Sequence, residues 1–168
     1  MKTILLMRHA KSDWDDPGLD DFDRPLAKRG IEDVPRMGRA IAKLAHLPDR
    51  IVSSPARRAR EPAEGFAAAA GFRGKILYDA NLYPGPGEAW IRALRGLSDD
   101  VERALVVAHS PGCEEAAALL LGTGSPGAVR FPTGAILCAE ADIERWSRLR
   151  SGGATLQWFL VPKVVKAL

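Results

Sequence analysis

Short apolar segments alternate with longer amphipathic segments along this chain, and no other feature of the sequence limits the fold as strongly. The clearest apolar segment is Ala104 to Ala108, and another runs from Thr3 to Met7. Each stops abruptly in polar residues, which is typical of a buried β-strand. Ala27 to Ala45 instead carries apolar residues at three- and four-residue spacing, the pattern of an amphipathic helix. Strands separated by helices predict an α/β fold with a largely parallel sheet.

The rest of the chain fits a three-layer sandwich with helices on both faces of a central sheet. Four more strands are predicted, at Arg50–Ser54, Lys75–Tyr78, Ala135–Ala141 and Thr155–Val161. Three more helices are predicted, from Pro55 to a C-cap at Gly71, from Ala89 to Leu97, and from Gly112 to Leu121. Pro35 and Pro62 lie inside predicted helices and are expected to distort them. The turn-rich segment Lys11 to Pro25 predicts a loop over the sheet end.

Composition favours one folded domain. The chain has 168 residues, of which 46% are apolar and 27% charged. Residues 1–168 can therefore form a single domain that buries roughly 70% of the surface of the unfolded chain. No apolar stretch approaches the ~20 residues of a membrane-spanning helix, so we expect a cytoplasmic protein with no membrane partner. Cys113 and Cys138 have no metal-ligand or disulfide spacing and are predicted to be reduced core residues.

The charge pattern argues against a nucleic-acid partner. The net charge is only +3, and the four tryptophans are scattered. A nucleic-acid-binding face needs basic residues along a groove, with aromatic residues between them for single strands. Here the one dense basic cluster is Arg57, Arg58 and Arg60, and the segment from Asp13 to Asp23 is acidic. We therefore expect the chain to bind no nucleic acid.

Residues suited to phosphate chemistry follow three of the predicted strands. Arg8 and His9 end the first strand, His109 follows the fourth, and Arg57 and Arg58 open the helix after the second. Ligand sites in open α/β sheets lie outside the carboxyl ends of the strands. Guanidinium groups offer forked donors that match phosphate oxygens, and neutral imidazole can attack phosphorus. The sequence therefore predicts a cationic pocket for a phosphoryl group.

Two other hydrolytic chemistries fit the sequence less well. The segment Ala108 to Gly112 has the form of a nucleophile elbow around Ser110, but no histidine follows His109 to act as its base. The three histidines form no His-x-His or His-x-x-x-His pair, so the ligand set for a metal is weak. We interpret His46, near a predicted helix end, as structural. No metal and no cofactor are expected.

Five motifs together resemble those of the histidine phosphatase superfamily, and the short branch of SixA-like phosphohistidine phosphatases fits best. The motifs are Leu5–Ser12, Arg24–Leu26 with Gly30, Ser53–Ala59, Leu105–Gly112 and Phe131–Ala135. They occur in the family's order and span nearly the whole chain. The resemblance implies a phosphoglycerate-mutase-like fold. Four positions depart from the common pattern, with Ala10, Pro62, Ala108 and Ser110 standing for the more usual Gly, Thr, Gly and Asn.

The resemblance also implies roles for four residues. His9 matches the nucleophile that becomes phosphorylated, and Arg8 matches the phosphate ligand beside it. Arg58 matches the second phosphate-binding arginine, which leaves the other two arginines of its cluster facing solvent. His109 matches the second histidine of the pocket, which is expected to hydrogen-bond the phosphoryl oxygens.

The motifs do not identify a proton donor. Larger members of the family hold a carboxylic acid near the leaving oxygen, and the candidate here is Glu88, with Asp13, Asp15 and Asp16 as alternatives in the loop. Glu88 also suits a plain role in the first turn of a helix. A weak or absent acid favours a leaving group that departs easily, such as the imidazole of phosphohistidine.

We therefore expect a metal-independent phosphatase that forms phospho-His9 and acts on protein phosphohistidine. Two alternatives stay open: hydrolysis of small phosphate esters in the same pocket, and a non-catalytic module that binds phosphate or phosphohistidine. The presence of His9 argues against the module, because binding needs cations but no nucleophile. The expected partner is a phosphorylated protein or a small phosphate ester, and a monomer is favoured.

Overall fold

Six strands form one mixed sheet in the computed structural model, which describes residues 1–168. They are β1 (Lys2–Arg8), β2 (Arg50–Ser53), β3 (Ile76–Tyr78), β4 (Arg103–Ala108), β5 (Ile136–Ala141) and β6 (Ala154–Leu160). Their spatial order is β3-β2-β4-β1-β5-β6. The strands β3, β2, β4 and β1 are mutually parallel, while β5 runs antiparallel to both β1 and β6. Only β5 is reversed, so the predicted largely parallel sheet is confirmed.

Five helices cover the two faces of this sheet. They are α1 (Lys28–Lys43), α2 (Arg57–Ala70), α3 (Gly87–Arg95), α4 (Gly112–Leu121) and α5 (Pro162–Ala167). Successive residues of a strand face opposite sides, so a strand covered on both faces needs apolar residues in succession, as β1 has from Ile4 to Met7. Leu5 of β1 packs in one core with Met37 of α1, and Leu6 packs in the other core with Trp90 of α3. The predicted three-layer α/β sandwich is confirmed.

The helices begin and end close to their predicted positions. Both internal prolines are tolerated, since α1 is unbroken at Pro35 and α2 at Pro62. The predicted C-cap of α2 is confirmed, because Gly71 has a φ of 77° in the left-handed region. No pattern in the sequence predicts α5, which has Pro162 in its first turn. No helix is long and apolar enough to cross a lipid bilayer.

The carboxyl ends of β1, β2 and β4 meet at one edge of the sheet. Arg8 of β1 is in register with Ala108 of β4, and Ser53 of β2 is in register with Val107. The residues that follow these strands therefore come together over that edge. They are His9, Ser54 and His109.

The segment Lys11–Pro25 is irregular, as predicted, apart from a short 3₁₀ turn at Asp21–Asp23. Its ends are tied to each other, because the Ala27 N–H donates to the Lys11 carbonyl oxygen at 2.9 Å. Gly30 permits this close approach, since a Cβ atom there would collide with the same carbonyl oxygen. The chain leaving His9 is thereby held against the first turn of α1.

Candidate active site

The backbone around His9 is fixed from two sides. The His9 N–H donates to the Ala108 carbonyl at 2.8 Å, and the Gly134 N–H donates to the carbonyls of Arg8 and His9 at 3.1 and 3.0 Å. Gly134 has a φ of 77°, a conformation that favours glycine. The Arg8 side chain is held by the same segment, because its Nη1 donates to the Phe131 carbonyl at 2.6 Å. These contacts explain why the motif Phe131–Ala135 accompanies the Arg8–His9 motif.

The His9 ring has one protonated and one free nitrogen. Nδ1 lies 2.7 Å from the Ala10 carbonyl oxygen, which can only accept, so Nδ1 carries the proton and Nε2 has a free lone pair. The side chain is buried, with only 9% of His9 exposed. Burial, together with the positive charges of Arg58, Arg8 and Arg24, lowers the pKa of His9 to about 4 despite the opposing effect of the Ala10 carbonyl. His9 is therefore neutral at physiological pH.

The His109 ring lies next to the His9 ring. The two ring centroids lie 5.3 Å apart, and His109 is 3% exposed. Its Nε2 is hydrogen-bonded to the Ser54 hydroxyl at 2.7 Å, and the Ser54 oxygen also accepts from the Ala56 N–H at 3.3 Å. Burial and the charge of Arg58 lower the pKa of His109 to about 3. The serine that orients this histidine is thus Ser54 at the end of β2, whereas Ser110 of the elbow-like segment is exposed.

Two arginines whose charges act on these histidines have buried guanidinium nitrogens without protein partners. They are Nε of Arg8 and both Nε and Nη1 of Arg24. Arg24 is 8% exposed and stacks on the Trp14 ring, with Cζ 3.4 Å from the ring centroid. A buried cationic donor without a partner is costly, so such donors indicate a site for an anion. Sequence reasoning assigned no role to Arg24, although the residue lies in one of the quoted motifs.

Asp21 joins the loop over the sheet edge to the pocket. Its carboxylate accepts hydrogen bonds from Arg24 and from the Tyr83 hydroxyl at 2.9 Å, and it forms an ion pair with Arg58 at 2.8 Å. Tyr83 in turn packs edge-on against the His109 ring at 5.5 Å. Although partial burial raises the pKa of Asp21, the Tyr83 hydrogen bond and the charges of Arg58 and Arg24 outweigh it and lower that pKa. Sequence reasoning did not identify Asp21 or Tyr83.

Several other candidates lie apart from this group. Arg57 forms an ion pair with Glu61 at 2.5 Å on the outside of α2, and Arg60 is exposed. Glu88 is exposed in the first turn of α3 and lines a cleft with Glu115 and Ser151. The three loop aspartates, Asp13, Asp15 and Asp16, form no hydrogen bond or ion pair with the pocket side chains. Asp13 and Asp16 instead accept backbone N–H groups of their own loop. No group of three or more His, Cys, Asp or Glu side chains is placed to hold a metal ion.

Comparison with known proteins relates this chain to a family. Residues 4–83 match the histidine phosphatase superfamily (branch 1). An uncharacterized protein of Mycobacterium tuberculosis is 34% identical, with 94% of this chain and 100% of that protein covered. An uncharacterized chloroplastic protein of Arabidopsis thaliana is 33% identical over 72% of this chain, and the chain spans 60% of that protein's length.

A solved structure extends the likeness to the whole fold. The crystal structure of a candidate phosphohistidine phosphatase SixA from Agrobacterium tumefaciens has a TM-score of 0.81 and 26% identity, covering 96% of this chain and 98% of that one. The strand-end site and the sandwich thus define a protein of the phosphatase class. The chain belongs to the histidine phosphatase superfamily. The family, fold class and enzyme class predicted from the sequence are confirmed.

Proposed function

We propose that this protein hydrolyses phosphohistidine on protein substrates through a covalent phospho-His9 intermediate, without a metal ion. The observation that carries the proposal is the free Nε2 of a neutral His9 beside arginines that keep buried guanidinium nitrogens without protein partners. Such donors favour a bound phosphoryl group, and a neutral imidazole can act as its nucleophile. The buried, unpaired state of both cysteines supports a cytoplasmic location.

The proposed reaction has two steps at phosphorus. His9 Nε2 attacks, and the new P–N bond forms as the bond from phosphorus to the leaving atom breaks and its electron pair departs with the leaving group. Water then attacks phospho-His9, which breaks that P–N bond and releases orthophosphate and free His9. Arg8, Arg24 and Arg58 offset the negative charge of the phosphoryl oxygens in both steps, and such preorganised charges lower the barrier. The hydrogen bond from Nδ1 to Ala10 keeps the ring oriented throughout.

The ionised state of Asp21 favours phosphohistidine as the substrate. Asp21 is the carboxylate that contacts the pocket arginines, and its two oxygens already accept hydrogen bonds, one from Arg24 and one from the Tyr83 hydroxyl. Since its pKa is lowered, Asp21 is ionised at neutral pH and has no proton to donate. An imidazole leaving group accepts a proton readily, whereas an alkoxide depends more on a positioned acid. The likeness to the SixA structure supports the same substrate class.

Rapid quench with a phosphohistidine protein labelled with radioactive phosphorus tests this proposal. We expect acid-labile label on His9 together with release of orthophosphate, both unchanged by a metal chelator. His9→Ala is expected to abolish labelling and release, while the matched variant His46→Ala, outside the site, keeps both. Measurement of hydrolysis of a small alkyl phosphate beside phosphohistidine checks the substrate class.

Each alternative has its own outcome in this experiment. Release without label, or activity that survives in His9→Ala, contradicts the covalent mechanism. Binding of orthophosphate with neither label nor release supports the non-catalytic module. Equal turnover of alkyl phosphate and phosphohistidine supports the alternative that the enzyme hydrolyses small phosphate esters. Inhibition by the chelator contradicts a metal-independent reaction.

A further inference from the structure

We propose that Asp21 is a positioning residue that holds the guanidinium groups of Arg24 and Arg58 ready for a phosphoryl group, an inference that rests on the function proposed above. Its carboxylate lies between the two side chains. Oδ1 accepts from Nη2 of Arg24, and Oδ2 forms an ion pair with Nη1 of Arg58 at 2.8 Å. The same Arg58 nitrogen also donates to the Asp21 carbonyl oxygen at 2.6 Å. One residue therefore fixes two arginines that are 34 positions apart in the sequence.

Each arginine gives one nitrogen to Asp21 and keeps the others free. Nε and Nη1 of Arg24 are buried and have no partner. Arg58 makes its hydrogen bonds through Nη1, which leaves Nε and Nη2 without a protein acceptor. A guanidinium group anchored at one nitrogen and free at the others is suited to forked binding of phosphoryl oxygens.

The carboxylate of Asp21 is itself held in place. The Tyr83 hydroxyl donates to Oδ2 at 2.9 Å, which ties the loop containing Asp21 to the loop after β3. The Trp14 ring stacks on the Arg24 guanidinium, and Arg58 lies over the Tyr83 ring at 5.6 Å. The orientation of both guanidinium planes is thus set before a ligand arrives, so the ligand does not bear the entropic cost of ordering them.

Two other roles for Asp21 fit the observations less well. A proton donor would need a neutral carboxylic acid, but the hydrogen bond from Tyr83 and the two arginine charges favour the carboxylate. A purely structural ion pair would need burial, but the Asp21 side chain is 48% exposed while each arginine partner is 9% exposed. An ion pair kept only for stability does not need a half-exposed carboxylate. Removal of the Asp21 charge leaves two buried arginines without their carboxylate, so it is expected to weaken ligand binding and also to lower stability.

Isothermal titration of the full chain with orthophosphate tests the proposal without reliance on turnover. We expect Asp21→Asn to weaken orthophosphate binding by about tenfold or more, as for loss of a charge-assisted hydrogen bond. The matched control is Asp23→Asn, which removes the same charge from the same 3₁₀ turn and is expected to change binding by less than about twofold. Asp21→Glu keeps the charge but moves the carboxylate away from the two arginines, so it is also expected to weaken orthophosphate binding.

A double-mutant cycle distinguishes positioning from a general effect on the fold. If Asp21 acts through the arginines, Asp21→Asn costs much less affinity in an Arg58→Ala background than in the parent. Equal losses in both backgrounds overturn the proposal, as does unchanged or tighter orthophosphate binding by Asp21→Asn. If the parent chain binds no orthophosphate, the proposed function fails together with this inference. If the parent binds it and Asp21→Asn binds equally well, only the role of Asp21 is lost.

Discussion

Arg57 and Arg58 are neighbours in the chain but lie in opposite surroundings. The Arg58 side chain is 9% exposed and contacts Asp21, whereas the Arg57 side chain is 41% exposed and pairs with Glu61. We expect Arg58→Ala to lower kcat/KM for phosphohistidine, because a donor to the phosphoryl oxygens is removed. The loss of transition-state stabilisation is expected to be about 2 kcal/mol or more. Arg57→Ala removes a half-exposed ion pair, and the same loss of transition-state stabilisation is expected to be less than about 1 kcal/mol. Steady-state kinetics of the two variants checks this order, and comparable losses would mean that the second phosphate arginine is misassigned.

Some residues of the pocket could be predicted from the sequence, and others could not. Each residue predicted for the pocket belongs to a motif at a strand exit, and strand exits are where sheets of this kind bind ligands: Arg8, His9, Arg58 and His109. Arg24 and Asp21 belong to a loop with no regular pattern, and their burial depends on how that loop crosses the sheet edge. The contact between Asp21 and Tyr83 joins residues 62 positions apart, which no local pattern encodes.

At the level of elements, the start of α1 supports the segment that follows His9. An added methyl group at Gly30 would overlap the Lys11 carbonyl oxygen, which is backbone and accepts the Ala27 N–H. We therefore expect Gly30→Ala to lower the free energy of unfolding by about 1–3 kcal/mol, the usual cost of overpacking. Chemical denaturation of the purified variant measures this change.

Gly96→Ala is the matched control for the Gly30 variant. Gly96 caps the end of α3 with a φ of −83°, and a methyl group there would lie 3.5 Å from its nearest neighbour, the Arg92 carbonyl oxygen. Alanine is compatible with that conformation, so stability is expected to stay the same or rise slightly. Equal destabilisation by both substitutions would show that the close approach at Lys11 is not the cause.

Elements with strong local patterns were predictable, and those set by distant pairing were not. β1 and β4 each contain an unbroken apolar run, and α1 has regular helical spacing, so each follows from its own residues. The reversed direction of β5 is fixed by its pairing with β1, more than a hundred residues earlier in the chain. The helix α5 is six residues long, too short for a periodic pattern, and depends on packing of Val165 against the core.

At the scale of the whole molecule, the two pocket histidines link stability to pH. Burial and arginine charges lower the pKa of His9 to about 4 and that of His109 to about 3, below the 6.5 of an exposed histidine. Between those values and 6.5 the unfolded chain binds protons that the folded chain does not, so stability falls as the pH decreases. We expect each histidine to lower the free energy of unfolding by roughly 3 kcal/mol between about pH 6.5 and 4.

Denaturation curves at a series of pH values, in buffers without phosphate, measure this effect. Phosphate must be absent because an anion bound to the folded state would add its own stabilisation. Carboxylates also titrate near the lower end of the range, so the decisive comparison is between the parent and the double variant His9→Gln with His109→Gln. The variant lacks both titrating rings, and its stability should therefore depend less steeply on pH by up to about 1.4 kcal/mol per pH unit for each histidine. Identical slopes for the two proteins would mean that the rings take up protons in the folded state as readily as in the unfolded state, and the lowered pKa values of His9 and His109 would then be wrong.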